Sequence, residues 1–220
     1  MLNLFSVFDP YIGLYYFNWL SSMIILLLIP MNYWLFKSRW NIIIYLVINS
    51  LWSEFKLILV TNFNVNNLLI FITLLFFILM NNFMGLYPYI FTSTSHLSFA
   101  LMFSMSLWMG LMLFGWIMNM NFMFSHLVPL GTPFMLMFFM VLIETLSNLI
   151  RPMTLAIRLV ANMIAGHLLL TLLSSMSGPL ILMTLIIVAQ LLLFTLELAV
   201  SLIQSYVFVI LLTLYLKETN

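Results

Sequence analysis

Four charged residues stand inside the last two apolar tracts of the sequence: Glu144, Arg151, Arg158 and Glu197. On insertion scales each costs about 2.5–3.5 kcal/mol at a bilayer centre, so such residues are held where they face protein or water. Taken at about 100° per residue from Glu144, the residues Asn148, Arg151, Arg158 and Asn162 project within about 40° of it. One helix face therefore carries a polar stripe, which climbs about 27 Å between Glu144 and Asn162. His167 projects about 140° away, on a different face and farther along. In the final tract Gln190, Glu197, Ser201 and Gln204 recur at i, i+7, i+11 and i+14, a second narrow stripe. Two antiparallel helices can set one stripe against the other.

Glu and His exchange protons, whereas Arg stays charged at any accessible pH. An arginine between two titratable clusters is a fixed positive barrier to proton leakage. Glu144 would then serve one aqueous path, opening inside, and His167 with Glu197 another, opening outside. The structural alternative is an Arg158 to Glu197 ion pair that only joins two helices. Ala161, Ala165 and Gly166, near the Arg158 face, are small enough to admit a further helix closely, which points to an external partner; ordinary packing would use them equally well.

The elements that position these residues must lie in lipid. Only 5% of the 220 residues are charged, 65% are apolar and the mean hydropathy is +1.24, which excludes an ordinary soluble domain. A net charge of +1 offers no field for nucleic acid. With no cysteine there is no disulfide and no thiolate metal site, and no cofactor or metal is expected. Residues 1–17 lack a basic region and include Asp9, so they read as neither a secretory signal nor a transit peptide. Synthesis inside an organelle or direct co-translational insertion is expected. The heavy use of Met and Phe would suit an AU-rich organellar genome.

A spanning helix needs about 20 mostly apolar residues. Five stretches qualify: 16–36, 68–86, 97–118, 134–173 and 180–216. The second and third are expected to form a hairpin through the turn-prone segment 87–96, and the loop 119–133 introduces the fourth. Residues 40–60, interrupted by Asn41, Asn49, Ser53, Glu54 and Lys56, read as an interfacial amphipathic helix. The alternative is a sixth span, in which Glu54 and Lys56 would point to different sides. The last two tracts are too long to stand upright, since forty helical residues extend about 60 Å. They are expected to form a long tilted hairpin. Pro152 can supply a bend in the first of them, or be an ordinary transmembrane proline. The expected class is an all-α polytopic membrane protein in one domain. Lys37, Arg39 and Lys56 mark the inside, which puts the N-terminus outside and Lys217 inside.

The runs IRPMTLAIRLVANMIAGH (150–167) and LELAVSLIQSYVF (196–208), with NLFSVFDP (3–10), closely resemble subunit a, or subunit 6, of the proton-translocating ATP synthase in its mitochondrially encoded form. The likeness covers essentially the whole chain. It implies that Arg158 is the essential arginine facing a rotor ring of c subunits, each bearing one protonatable carboxylate. It places Glu144 in the matrix half-channel and His167 with Glu197 in the intermembrane-space half-channel. Asn162 and Gln204 become polar neighbours of the arginine. Asn148, on the same stripe as Glu144, is expected to join the proton pathway. Bacterial relatives tend to swap the acid and the histidine, so His167 with Glu197 favours the mitochondrial type. Arg151 has no settled role, because other members can carry an uncharged residue there. Peripheral-stalk and other membrane-sector subunits follow as partners, and the mitochondrial inner membrane as the location.

Other classes fit less well. A haem-binding subunit needs paired histidines on facing helices, but His96 and His126 fall in expected loops. A self-contained transporter should show internal repeats, and none is visible. A purely structural anchor needs no titratable pair. No GxxxxGK[ST] loop is present, so nucleotide chemistry would occur elsewhere in a complex and this chain would be non-catalytic.

Overall fold

The computed structural model describes residues 4–11, 17–23, 36, 38–59, 65–128, 133–176 and 180–219. Among them every regular element is helical. We label the α-helices α1 (Arg39–Ile58), α2 (Val65–Gly85), α3 (Leu97–Met118), α4 (Met120–His126), α5 (Phe134–Ser175) and α6 (Leu180–Thr219). Short 3-10 turns occupy Leu4–Phe8, Phe17–Leu20 and Ser93–Ser95. Among the described residues α1, α2, α3, α5 and α6 are long and apolar enough to cross a membrane. The chain is thus an all-α polytopic membrane protein. The expected first span, 16–36, falls largely outside the described residues, as do residues 177–179 of the turn between the two long tracts.

Helix α1 begins where Ser38 accepts a hydrogen bond from the Asn41 backbone N–H at 3.4 Å, an N-cap that satisfies one orphan donor. Its length and composition suffice for a span, although it is the least apolar of the five. The loop expected over 119–133 is corrected: residues 120–126, which contain neither Gly nor Pro, form α4, and an edge contact between Trp116 and Phe124 at 4.9 Å folds it back on α3. His126 accordingly lies in the last turn of a helix.

The turn after α2 is built from polar residues that nonetheless go inside. Thr92, Ser93, Thr94 and Ser95 are all buried. Ser93 donates to Asn81 Oδ1 at 3.2 Å, Thr92 Oγ1 to Ser95 Oγ at 3.0 Å, and Ser95 Oγ to the Thr92 carbonyl at 2.7 Å. These bonds offset the cost of burying Thr92, Ser93 and Ser95, whereas the Thr94 hydroxyl is buried without a partner among the described residues. Tyr89, with φ of 68°, makes the left-handed step of this connection.

Helix α2 packs on α6, α3 on α5, and the long helices on each other. The shared core joins Phe55 of α1 and Leu68, Phe71, Leu75 and Ile78 of α2 to Leu155, Ala156 and Leu159 of α5 and Phe208, Val209 and Leu212 of α6. Helix α5 has 42 residues and α6 has 40. At 1.5 Å per residue each is about 60 Å long, twice the hydrocarbon thickness. Helix α5 continues through Pro152, which is buried against the core.

Candidate functional site

Contacts between α5 and α6 follow an antiparallel register. Asn162 Nδ2 donates to Gln204 Oε1 at 2.9 Å, and Arg151 lies 5.3 Å over the Tyr215 ring, eleven residues along on each helix in opposite senses. Gly166 meets Glu197 at the other side of the Asn162 pair. Of the two stripes expected from the sequence, Asn162 and Gln204 are the members that bond each other.

Glu197 is 8% exposed, and neither carboxylate oxygen has a hydrogen-bond partner among the described residues. It fits there because position 166 is glycine: a Cβ at Gly166 would stand 2.8 Å from Glu197 Cδ and Oε1. The small residue expected to admit an outside helix thus makes room for this chain's own acid. Ala161 and Ala165 remain exposed, on the same open surface as Arg158. Glu197 borders a cavity of about 190 Å³ that Asn82, Asn162, Ser201 and Gln204 also line.

A second, larger cavity of about 700 Å³ opens at the turn that follows α2, lined by Pro88, Tyr89, Thr92, His167, Thr171 and Gln190 among others. Leu86 lines both cavities, so they adjoin there. The N-terminal segment borders this vestibule: Val7 and Asn18 line it, Ser21 donates to the Phe91 carbonyl at 3.0 Å, and Trp19 packs on Phe91 and His96. His167 stands beside the backbone of Gly85, meets the Phe8 ring at 6.2 Å between centroids, and has Nε2 buried without a partner among the described residues. His167 and Glu197 therefore do not bond each other directly. Gln190 joins His167 in the vestibule, while Glu197, Ser201 and Gln204 line the inner cavity.

Arg158 is exposed and has no ion pair or hydrogen bond among the described residues. The Arg158 to Glu197 bridge considered from the sequence is not formed. The arginine that does find an acid is Arg151, whose Nη2 lies 4.0 Å from Glu144 Oε1. Asn148, half-buried, shares the Glu144 end of α5.

Some site residues escape the stripe argument. Asn82, 1% exposed with an unpartnered Oδ1 in the Glu197 cavity, comes from α2. The signal available for it was the Asn81–Asn82 pair inside an apolar span, which costs more than an accidental substitution would be allowed. Glu54, read only as a charge on the interfacial segment, accepts a 2.9 Å hydrogen bond from the Tyr206 hydroxyl of α6. Among the described residues no group of three or more His, Cys, Asp or Glu could hold a metal ion.

Arg158 thus stands exposed on α5, without an ion pair or hydrogen bond among the described residues, and Glu197 lies buried at a cavity that Asn162 also lines. The family model of the ATP synthase A chain matches residues 15–217. Over the full length of both chains the sequence is 55% identical to ATP synthase subunit a of Drosophila melanogaster and 52% identical to that of Aedes aegypti. It is 54% identical to that of Locusta migratoria over 99% of each chain. The chain belongs to the ATP synthase subunit a family, proton-transporting subunits of the ATP synthase membrane sector.

Proposed function

We propose that this chain is the non-catalytic stator through which protons reach and leave a rotating ring of c subunits, by two offset half-channels with Arg158 between them. The observation that carries the reading is Arg158 itself, exposed on α5 without a partner among the described residues. A cation at membrane depth requires a counter-charge or water. A carboxylate presented by a partner packed across Ala161 and Ala165 would supply it. Arg158 would draw that carboxylate into its ionised form and bar a direct proton path between the channels. The Asn162–Gln204 pair, one turn away on α5, would keep the contact polar and prevent a locked salt bridge.

The vestibule at residues 86–92, with His167 and Gln190, would form the outer opening, and Glu197 with Asn82 its inner reach. Glu144 and Asn148, at the opposite end of α5, would line the path on the other side. The segments bearing Arg39, Lys56 and Lys217 would face inside, toward the matrix of a mitochondrion, because cytoplasmic-type loops carry the basic residues. The N-terminus would face the intermembrane space. Helix α1 would lie along the inner leaflet, and peripheral-stalk and other membrane-sector subunits would complete the assembly in the inner membrane.

The test uses intact complexes in vesicles, assayed for passive proton leak and for ATP synthesis under an imposed gradient. Arg158→Ala should abolish synthesis and permit leak. Arg158→Lys keeps a charge but loses the planar guanidinium, so it should retain some barrier and make little ATP. Near-normal synthesis by an assembled Arg158→Ala complex would refute the reading.

A further inference from the structure

Arg151 is the residue for which neither its stripe position nor the family resemblance supplied a role. In the structure it joins both long helices at the end remote from Glu197. Its Nη2 stands 4.0 Å from Glu144 Oε1 on α5, with the two side chains 31% and 34% exposed, and its guanidinium carbon lies 5.3 Å over the Tyr215 ring on α6. A planar guanidinium seats on an aromatic face in a way that lysine's compact ammonium does not, so Tyr215 fixes where the charge sits. Glu144 is two turns away on the same helix, near the limit of what both side chains can span together. The separation exceeds the roughly 2.7–2.9 Å of a charge-assisted hydrogen bond. The pair therefore attracts without closing.

We infer that Arg151 is a positioning residue for proton exchange at the inner opening: seated on Tyr215, it draws the Glu144 carboxylate into the α5–α6 seam while leaving its oxygens accessible to a proton. The inference rests on Glu144 being a member of the inner path. Arginine cannot itself relay a proton at accessible pH, so Arg151 acts only through Glu144. A fully bonded pair would hold Glu144 in one state; a contact at 4.0 Å sets its direction and lets it exchange.

Four variants of the assembled complex decide this, with ATP-driven proton pumping into vesicles normalised to the amount of complex: Arg151→Gln, Arg151→Lys, Glu144→Gln and the double Glu144→Gln/Arg151→Gln. Arg151→Gln should slow pumping about tenfold, the low end of the cost of misplacing a reactive group. Arg151→Lys, which restores the charge but not the stacked seat on Tyr215, should recover only part of the rate. The double variant should be no slower than Glu144→Gln alone, since the arginine has nothing left to position. A double variant slowed by the product of the two single effects, a Lys variant no better than Gln, or failure of Arg151→Gln to assemble would each overturn the inference in favour of a merely structural contact. Normal pumping by Arg151→Gln beside slow pumping by Glu144→Gln would overturn the inference alone. Normal pumping by Glu144→Gln would remove the inner-path reading and the inference with it.

Discussion

At the scale of single residues, the tightest constraint is the missing side chain at Gly166. A methyl group there would stand 2.8 Å from the Glu197 carboxyl carbon, well inside van der Waals contact. The carboxylate ends a flexible side chain, so it is expected to move before the helices part. Gly166→Ala should therefore leave the complex assembled yet slow proton translocation by on the order of tenfold to a hundredfold, the cost of shifting a reactive group by about an ångström. ATP-driven acidification of vesicles at equal complex content measures it; an unchanged rate would mean that the seat of Glu197 is immaterial to proton passage. Glu144, Arg158 and Glu197 were legible in the sequence because a charge in an apolar tract is costly enough to mark itself. Their partners were not. Helical projection put Arg151 and Arg158 on the same stripe as Glu144, and only the packed structure distinguishes an arginine seated on Tyr215 from one left bare. Tyr215 is one aromatic among many, and nothing in its neighbourhood of sequence distinguishes it.

At the scale of elements, the two long helices were legible from uninterrupted apolar length, and the ends moved by only two or three residues. The short helix Met120–His126 was not, since Asn119 before it and prolines after it suggested a loop, while the decisive contact, Trp116 with Phe124, lies across the break. Helix α1 is the instructive case. Its composition sits between a span and a surface helix, and its attachments are sided: Phe55 is fully buried in the core and Glu54 bonds Tyr206, while Trp40 is 74% and Leu57 81% exposed. Twenty helical residues rise about 30 Å, so a spanning α1 would hold its two ends on opposite sides. An interfacial α1 holds them on one. The sequence contains no cysteine, so single cysteines introduced as Trp40→Cys and Leu57→Cys report without background. Both should react with a membrane-impermeant thiol reagent from the same side of sealed vesicles. Labelling from opposite sides would make α1 a span and reverse the topology of the N-terminal segment.

At the scale of the whole molecule, α5 and α6 act as one antiparallel pair whose two ends have been given different surroundings. At one end α2 and its polar turn lean over the pair, and a vestibule of about 700 Å³ leads past Tyr89 to His167. No Lys or Arg occurs in that turn. At the other end stand Glu144, Arg151 and Tyr215, with Lys217 in the last turn of α6. Glu144 and His167 are separated by twenty-three positions of continuous helix, about 35 Å of rise, which roughly matches the hydrocarbon depth for a modestly tilted segment. Between them Glu197 is enclosed, Asn162 and Gln204 are bonded to each other, and Arg158 is exposed without a partner among the described residues. A continuous pore would let a small reagent reach both ends from either side; two offset openings would not. Glu144→Cys and His167→Cys, each introduced singly into the assembled complex, should accordingly be labelled from opposite faces of inverted and right-side-out vesicles. His167→Cys should react from the face that bears the 87–92 turn, and Glu144→Cys from the face that bears Lys217. Reaction of both from one face would break the two-opening geometry, even if Arg158 proved indispensable, because the barrier between the openings would then have nothing to separate.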